Sequence, residues 1–154
     1  MTVVDLSRID RTIEIDAPPE RVWRALANAK ELGAWFQVEI EGEVAANAEV
    51  WMTSTHKGYE GQRFRVKFTE VTPPHRIAWQ WHPGEVESGV DYSREPRTTV
   101  TFSLEPSGRG TRVKVSETGF DLIALARREK VYNDNSQGWP EVLQWLRTYA
   151  EQTH

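Results

Sequence analysis

Alternation of apolar and polar side chains through the middle of the chain constrains its fold more than any other feature. The clearest segment is 63–68, Arg-Phe-Arg-Val-Lys-Phe, and segments 77–82, 100–104 and 113–115 repeat the pattern. Strict alternation puts every second side chain on one face of a strand, which is typical of antiparallel sheets with one buried and one wet face. With a further strand predicted over 8–16, the sheet is expected to have about six or seven strands.

Two short helices are predicted directly after the first strand. Residues 19–28 open on Pro19, and proline suits the first turn of a helix because its missing N–H has no partner there. Glu20 adds a carboxylate near the positive end of the helix dipole. A second short helix is expected over about 29–35.

A C-terminal helix is the other large apolar element. Apolar side chains between residues 139 and 150 recur at the i, i+3, i+4, i+7 spacing of one helix face. We expect a first helical stretch over 121–132, an interruption at 133–136, and a well-formed helix from near residue 138. Because this helix and the sheet each have one apolar face, a curved antiparallel sheet wrapped around the helix is the natural α+β arrangement. Such an arrangement leaves space for a mostly apolar pocket.

Four segments of the chain, in the same order, resemble one known superfamily. They are residues 17–26 with Trp35-Phe36, residues 71–81 around Pro73-Pro74, Thr118-Gly119-Phe120, and Gly138-Trp139. The pattern is similar to the START-like (SRPBCC, birch-pollen-allergen-like) superfamily. Within it, the pattern is most similar to the family of the activator of the 90-kDa heat-shock protein ATPase. The resemblance covers about residues 8–151.

This resemblance implies a helix-grip fold with a cavity between sheet and helix, expected here as a single domain over residues 1–154. It does not imply one activity, because members include ligand binders, self-protection proteins and chaperone-linked domains, and distant branches contain cyclases and hydrolase-like enzymes. A chaperone-linked protein-interaction domain is therefore one alternative function. The eukaryotic-type activator also uses a separate N-terminal domain, for which 154 residues leave no room, and this departure disfavours chaperone activation.

Composition excludes several kinds of chemistry. The absence of cysteine excludes disulfide scaffolds and thiol nucleophiles, and a net charge of −4 argues against nucleic-acid binding. We find no signal-peptide pattern and no apolar run near the ~18 residues of a membrane span, so a cytoplasmic protein without a membrane span is expected. His56, His75, His82 and His154 lack metal-site spacing, and no dinucleotide or phosphate fingerprint is present, so neither metal nor cofactor is expected.

Strand parity predicts which side chains face the space between sheet and helix. The chain has seven Trp residues, and Trp79 and Trp81 share one strand face. Aromatic walls suit flat, apolar ligands, so we predict a protein that binds a hydrophobic or aromatic small molecule; the alternative is that these side chains form a plain core. The predicted lining residues are Met52, Phe64, Val66, Trp79, Trp81, Phe102, Glu117, Trp139 and Leu143.

Glu117 is the polar member of this set and the candidate acid or base. It keeps the parity of Val113 and Val115, which points it inward; the alternatives are that it is solvated at a fraying strand end or paired with an arginine. His56 and Tyr59 lie in a loop that could sit at the cavity mouth. These residues would serve the alternative function, a cyclase- or hydrolase-type enzyme. Because two convergent polar groups are not evident in the inward set, binding is favoured over catalysis.

Two features fall on the outward face of the predicted sheet. Segment 63–67 carries a basic row, which we interpret as a solvated strand face paired with Glu49 or Glu70 across the sheet rather than as a partner surface. Trp51 also has outward parity, and an exposed tryptophan there would indicate a homodimer contact.

Overall fold

The structure, a computed structural model, describes residues 6–83, 91 and 93–152; His154 lies outside them. In chain order the elements are β1 (Arg8–Ile15), α1 (Pro19–Ala27), α2 (Ala29–Phe36), β2 (Val38–Glu41), β3 (Glu49–Ser54), β4 (Arg63–Thr72), β5 (Arg76–Trp81), β6 (Thr98–Ser107), β7 (Gly110–Thr118), a 3-10 turn (Phe120–Leu122) and α3 (Leu125–Gln152). The described strands form one antiparallel sheet in the order β1-β7-β6-β5-β4-β3-β2. This sheet curves around α3, which confirms the predicted α+β helix-grip architecture. No helix in the described ranges is long and apolar enough to cross a membrane.

One face of the sheet supplies the core, as the alternation predicts. Every second residue of β6 from Thr98 to Leu104 is buried, and β7 repeats the pattern from Val113 to Glu117. Helix α3 covers this face with its own buried stripe, and a fully buried side chain of the larger apolar types contributes about 1.5–3 kcal/mol. The sheet and the helix therefore stabilise one another. The buried residues of α3 are Val131, Trp139, Leu143, Leu146 and Ala150.

The two short helices form where the sequence predicts them. Pro19 lies in the first turn of α1. Asn28 separates the two helices and caps the second, because its side-chain oxygen accepts a hydrogen bond from the backbone N–H of Glu31 at 3.1 Å. Such a cap contributes about 1 kcal/mol, and it fixes the point at which α2 begins.

The last residue of α2 places an aromatic side chain against the sheet. The helix ends at Phe36, and Gln37 adopts a left-handed conformation with a φ of 60° before the chain enters β2. Phe36 then lies beside two tryptophans of β5, with ring centroids 6.0 Å from Trp79 and 6.2 Å from Trp81.

The C-terminal helix is longer than the sequence predicts. We expected an interruption at 133–136 and a well-formed helix from near residue 138, but α3 is continuous and contains Pro140. Proline has no N–H, so it cannot donate to the carbonyl four residues earlier, which is that of Ser136. Arg11 of β1 donates to this carbonyl at 3.3 Å and to the Ser136 hydroxyl at 2.6 Å. The sheet thus supplies the hydrogen bond that proline removes, and the helix continues.

Candidate ligand-binding site

A pocket of about 110 Å³ lies between the end of α2, strand β5 and the middle of α3. Three of its seven lining residues are aromatic, and its polar side chains come from α3. The helix residues recur at i, i+3, i+4 and i+7 spacing, so α3 presents a single face to the pocket. The lining residues are Phe36, Trp81, Asp134, Asn135, Gly138, Trp139 and Val142.

The carboxylate of Glu117 connects three of these lining residues. One oxygen accepts hydrogen bonds from the indole N–H of Trp139 and the amide of Asn135, both at 2.9 Å. The other oxygen accepts from the indole N–H of Trp81 at 2.9 Å and the hydroxyl of Thr98 at 2.5 Å. Four donors complement an acceptor-only carboxylate. Strands β5, β6 and β7 and helix α3 therefore meet at one buried side chain.

These hydrogen bonds hold the aromatic wall in a defined geometry. The rings of Trp81 and Trp139 are stacked with centroids 6.0 Å apart and planes 25° apart. The ring of Phe36 is stacked on Trp81 at 6.2 Å and 21°. Because both indoles are fixed through their N–H edges, the pocket is preformed rather than assembled on binding.

Glu117 is fully buried, with a relative exposure of 0%. The expectation of inward parity is therefore confirmed, and the alternatives of a solvated side chain or an arginine partner are wrong. No Lys, Arg or His of the described residues forms an ion pair with it. Its burial is tolerated because four neutral donors satisfy the carboxylate oxygens, which is the usual requirement for a buried polar group.

The structure divides the predicted lining residues into two groups. Trp81, Glu117 and Trp139 meet at the pocket, and the rings of Phe64 and Trp81 pack in a T-shaped arrangement with centroids 6.0 Å apart. The other predicted residues are packed in the core beyond it. These are Met52, Val66, Trp79, Phe102 and Leu143, each with at most 2% exposure.

Apart from Trp139, sequence reasoning missed the lining residues that α3 contributes. Asn135, Gly138, Trp139 and Val142 share the spacing of one helix face, and that spacing could have identified them. The expected interruption at 133–136 concealed it. The missed lining residues are Phe36, Asp134, Asn135, Gly138 and Val142.

His56 and Tyr59 lie in the loop between β3 and β4 and contact a different part of α3. The His56 ring nitrogen Nδ1 is 2.7 Å from the side-chain oxygen of Gln37, and its ring lies 5.1 Å from that of Trp145. Tyr59 stacks on His56 at 5.8 Å and remains 52% exposed. The contacts of these two residues form a cluster of their own, one helical turn along α3 from Val142.

The outward face of the sheet carries paired charges around one tryptophan. Trp51 is half-buried, and the guanidinium groups of Arg63 and Arg65 lie 4.3 and 4.6 Å from its ring centroid. Arg65 also lies 3.7 Å from the carboxylate of Glu49, and Arg63 pairs with Glu41 at 2.8 Å. Cross-strand pairing of this basic row is thus confirmed for Arg65, and Arg63 and Arg65 both lie over the Trp51 ring.

The family pattern described as Activator of Hsp90 ATPase homolog 1-like protein matches residues 16–151. The chain belongs to this family. The match spans most of the chain, including every element that builds the pocket, and confirms the resemblance stated from the sequence. A search of curated proteins found no match.

Solved structures share the fold of this chain. Protein MLL2253 from Mesorhizobium loti is 20% identical, with a TM-score of 0.75, over 96% of this chain and 98% of that chain. The Aha1 dimer from Colwellia psychrerythraea is 20% identical, with a TM-score of 0.68, over 94% and 96%. DynU16, described as a putative protein in the dynemicin biosynthetic locus, is 19% identical, with a TM-score of 0.72, over 94% of this chain and 47% of that chain. At these identities the similarity establishes the fold alone.

Proposed function

We propose that this protein binds a small hydrophobic or aromatic molecule in the pocket between β5 and α3. The main support for the proposal is that a glycine, Gly138, lies inside α3 where the structure has room for a larger side chain. Glycine inside a helix costs about 0.8–1.0 kcal/mol relative to alanine, yet a Cβ at this position would meet no heavy atom within 4 Å. Packing within the described residues therefore does not require a glycine here, whereas a ligand against the helix backbone does.

The walls and the volume of the pocket support the same function. Ligand sites are typically concave and apolar, with a few polar groups in fixed positions. The three rings of Phe36, Trp81 and Trp139 with the amide of Asn135 match that description. The volume of about 110 Å³ is below the roughly 300–1,000 Å³ of pockets that enclose drug-sized ligands. We therefore expect a compact ligand, or one end of a larger ligand.

The hydrogen bonds of Glu117 favour binding over acid–base catalysis. Its two oxygens already accept from Trp81, Thr98, Asn135 and Trp139, so none is left to take a substrate proton without breaking an existing bond. The structural neighbour from the dynemicin biosynthetic locus supports a small-molecule role in the same fold. The neighbour described as a dimer supports a homodimer as a further part of this proposal, and the net charge of −4 supports the absence of a nucleic-acid partner.

The proposal is tested by titrating naphthalene into protein with ¹⁵N-labelled tryptophan. We expect saturable shifts of the indole N–H resonances of Trp81 and Trp139, assigned from their Trp→Phe variants. Gly138→Leu places a side chain in the pocket and should abolish these shifts. Gln137→Leu adds the same side chain at the neighbouring exposed position and should preserve them. Absence of binding to the wild type, or binding that survives Gly138→Leu, would overturn the proposal.

A further inference from the structure

The pocket combines aromatic walls with an excess of negative groups. We propose that it prefers ligands carrying an alkylated ammonium group, which packs against the faces of Phe36, Trp81 and Trp139. This inference rests on the proposed function, because it names the class of ligand that the same pocket favours.

Ring faces form the wall against which a cation would pack. The π face of an aromatic ring is negative, and a cation within about 6 Å of its centroid is attracted, most strongly by tryptophan. Two of the three ring systems here are indoles, and Phe36 and Trp139 are each stacked on Trp81, with planes 21° and 25° apart. An alkylated ammonium group offers both a positive charge and an apolar surface, so it suits ring faces whose indole N–H groups already donate to Glu117.

Glu117 strengthens the negative character of the two indoles. Each indole donates its N–H at 2.9 Å to the same carboxylate, and a hydrogen bond to an acceptor polarises the donor group towards greater electron density on the ring. All four donors to Glu117 are neutral. Because the buried Glu117 carboxylate has no cationic partner among the described residues, it attracts a positively charged ligand group that binds nearby.

The rim adds a second acid. Asp134 lines the pocket and is paired with Lys130 at 2.8 Å, one helical turn away. Both side chains are more than half exposed, and exposed pairs at this spacing contribute only about 0.3–0.5 kcal/mol. Lys130 is therefore a weak competitor for a ligand cation at Asp134. None of the described lining residues is Lys, Arg or His.

The volume restricts which part of a ligand can enter. A pocket of about 110 Å³ accommodates a compact group, such as an ammonium head or an unsubstituted ring system, rather than a large substituted one. Gly138 leaves the helix backbone open on the same side, so methyl groups on a quaternary nitrogen can approach it closely. We therefore expect a quaternary ammonium head to fit better than a long primary amine with its larger hydration shell.

The test compares two probes that differ in charge but hardly in shape, choline and 3,3-dimethylbutan-1-ol. Both are titrated while the indole N–H resonances of Trp81 and Trp139 are followed. We expect choline to bind roughly 10-fold more tightly, in the range that desolvated cation–π contacts provide. Asp134→Asn should weaken choline binding without affecting the alcohol. Glu129→Gln, at an exposed acid on α3 that does not line the pocket, should leave both unchanged.

The naphthalene titration separates failure of this inference from failure of the proposed function. Equal or tighter binding of the neutral alcohol would overturn the ammonium preference, while saturable naphthalene shifts would leave the proposed function standing. The inference would also fail if neither choline nor the alcohol bound while naphthalene did. If no probe bound, both would fail.

Discussion

Trp81 and Trp139 donate their indole N–H groups to opposite oxygens of the Glu117 carboxylate, each over 2.9 Å. Trp81 belongs to β5 and Trp139 to α3, so one buried side chain joins the sheet to the helix that it grips. The stacking of the two rings follows from this shared acceptor. The contacts that secure the helix therefore also shape the pocket.

We expect Glu117→Gln to lower the free energy of unfolding by about 1–3 kcal/mol, because it leaves buried donors without an acceptor. Each carboxylate oxygen accepts two hydrogen bonds, and an amide nitrogen in place of either cannot accept from an indole N–H or from Asn135. Glutamine keeps the size of the side chain, so packing is preserved. Urea unfolding followed by tryptophan fluorescence gives the difference directly.

The matched control for this variant is Glu105→Gln. Glu105 is an exposed acid of β6, 3.0 Å from Arg112, and removal of such a surface pair should change stability by about 0.5 kcal/mol or less. If Glu117→Gln were as mild as Glu105→Gln, the four hydrogen bonds at the carboxylate would not contribute as described.

Local pattern was sufficient to predict the sheet, the short helices and the inward direction of Glu117. Alternation fixes which face each strand residue joins, and Glu117 shares its parity with Val113 and Val115. The donors to Glu117 were not predictable, because Trp81, Thr98 and Asn135 come from three different elements. Strand alternation predicts which face of the sheet a side chain joins, but its hydrogen-bond partners from other elements are known only from the folded structure.

The site on α3 illustrates the same limit. Polar residues at 133–136 and Pro140 suggest a break when the helix is considered alone. The helix continues because Arg11, 125 residues away from Ser136, donates to the free carbonyl. A tertiary hydrogen bond overrides the local signal, and no local pattern contains it.

Gly138→Ala is expected to raise the free energy of unfolding by about 1 kcal/mol, the helix-propensity difference between the two residues. The added methyl group meets no heavy atom within 4 Å, so no steric cost opposes the gain. The same methyl group reduces the pocket volume and should weaken ligand binding. Thermal and urea unfolding measure the first effect, and the naphthalene titration measures the second.

Gln137→Ala is the control for helix propensity at the neighbouring exposed position. We expect it to change the free energy of unfolding by about 0.5 kcal/mol or less. A Gly138→Ala variant that is less stable than the wild type would show that the space beside this glycine is already filled.

Glu31 should make stability dependent on pH. Burial raises the pKa of Glu31, but hydrogen bonds from Tyr149 and Arg21 outweigh it and hold the pKa below its usual value of 4.5. A lowered pKa in the folded state adds stability above the unfolded-state value, and this stability is lost as the pH falls through the folded-state value. Glu31→Gln is therefore expected to cost about 1–2 kcal/mol at pH 7, since the carboxylate accepts hydrogen bonds from charged and polar donors.

This cost should shrink as the pH falls below about 4.5, the usual pKa of the carboxyl group. Unfolding free energies of the wild type and Glu31→Gln between pH 7 and pH 3 provide the measurement. Tyr149→Phe removes the hydroxyl that donates to Glu31 at 3.0 Å and should reduce the same acid dependence. A difference between the wild type and Glu31→Gln that stays constant on acidification would contradict this account.

Arg11 and Pro140 should be energetically coupled although they do not bond to each other. Pro140→Ala restores an N–H that can donate to the carbonyl of Ser136, and it should stabilise the protein by about 1–3 kcal/mol because proline is unfavourable inside a helix. Arg11→Met removes the guanidinium that now donates to that carbonyl at 3.3 Å. In the wild-type background, we expect Arg11→Met to lower the free energy of unfolding by about 1–2 kcal/mol because hydrogen bonds are lost.

In the Pro140→Ala background the same Arg11→Met substitution should cost less, because the helix then satisfies the Ser136 carbonyl itself. The hydroxyl of Ser136 loses its 2.6 Å contact with Arg11 in both backgrounds, so that loss cancels in the comparison. Urea unfolding of the four proteins gives the coupling free energy, expected at about 0.5–1.5 kcal/mol for a single shared hydrogen-bond acceptor. Equal costs in the two backgrounds would mean that Arg11 does not replace the missing proline N–H, and the continuity of α3 would need another cause.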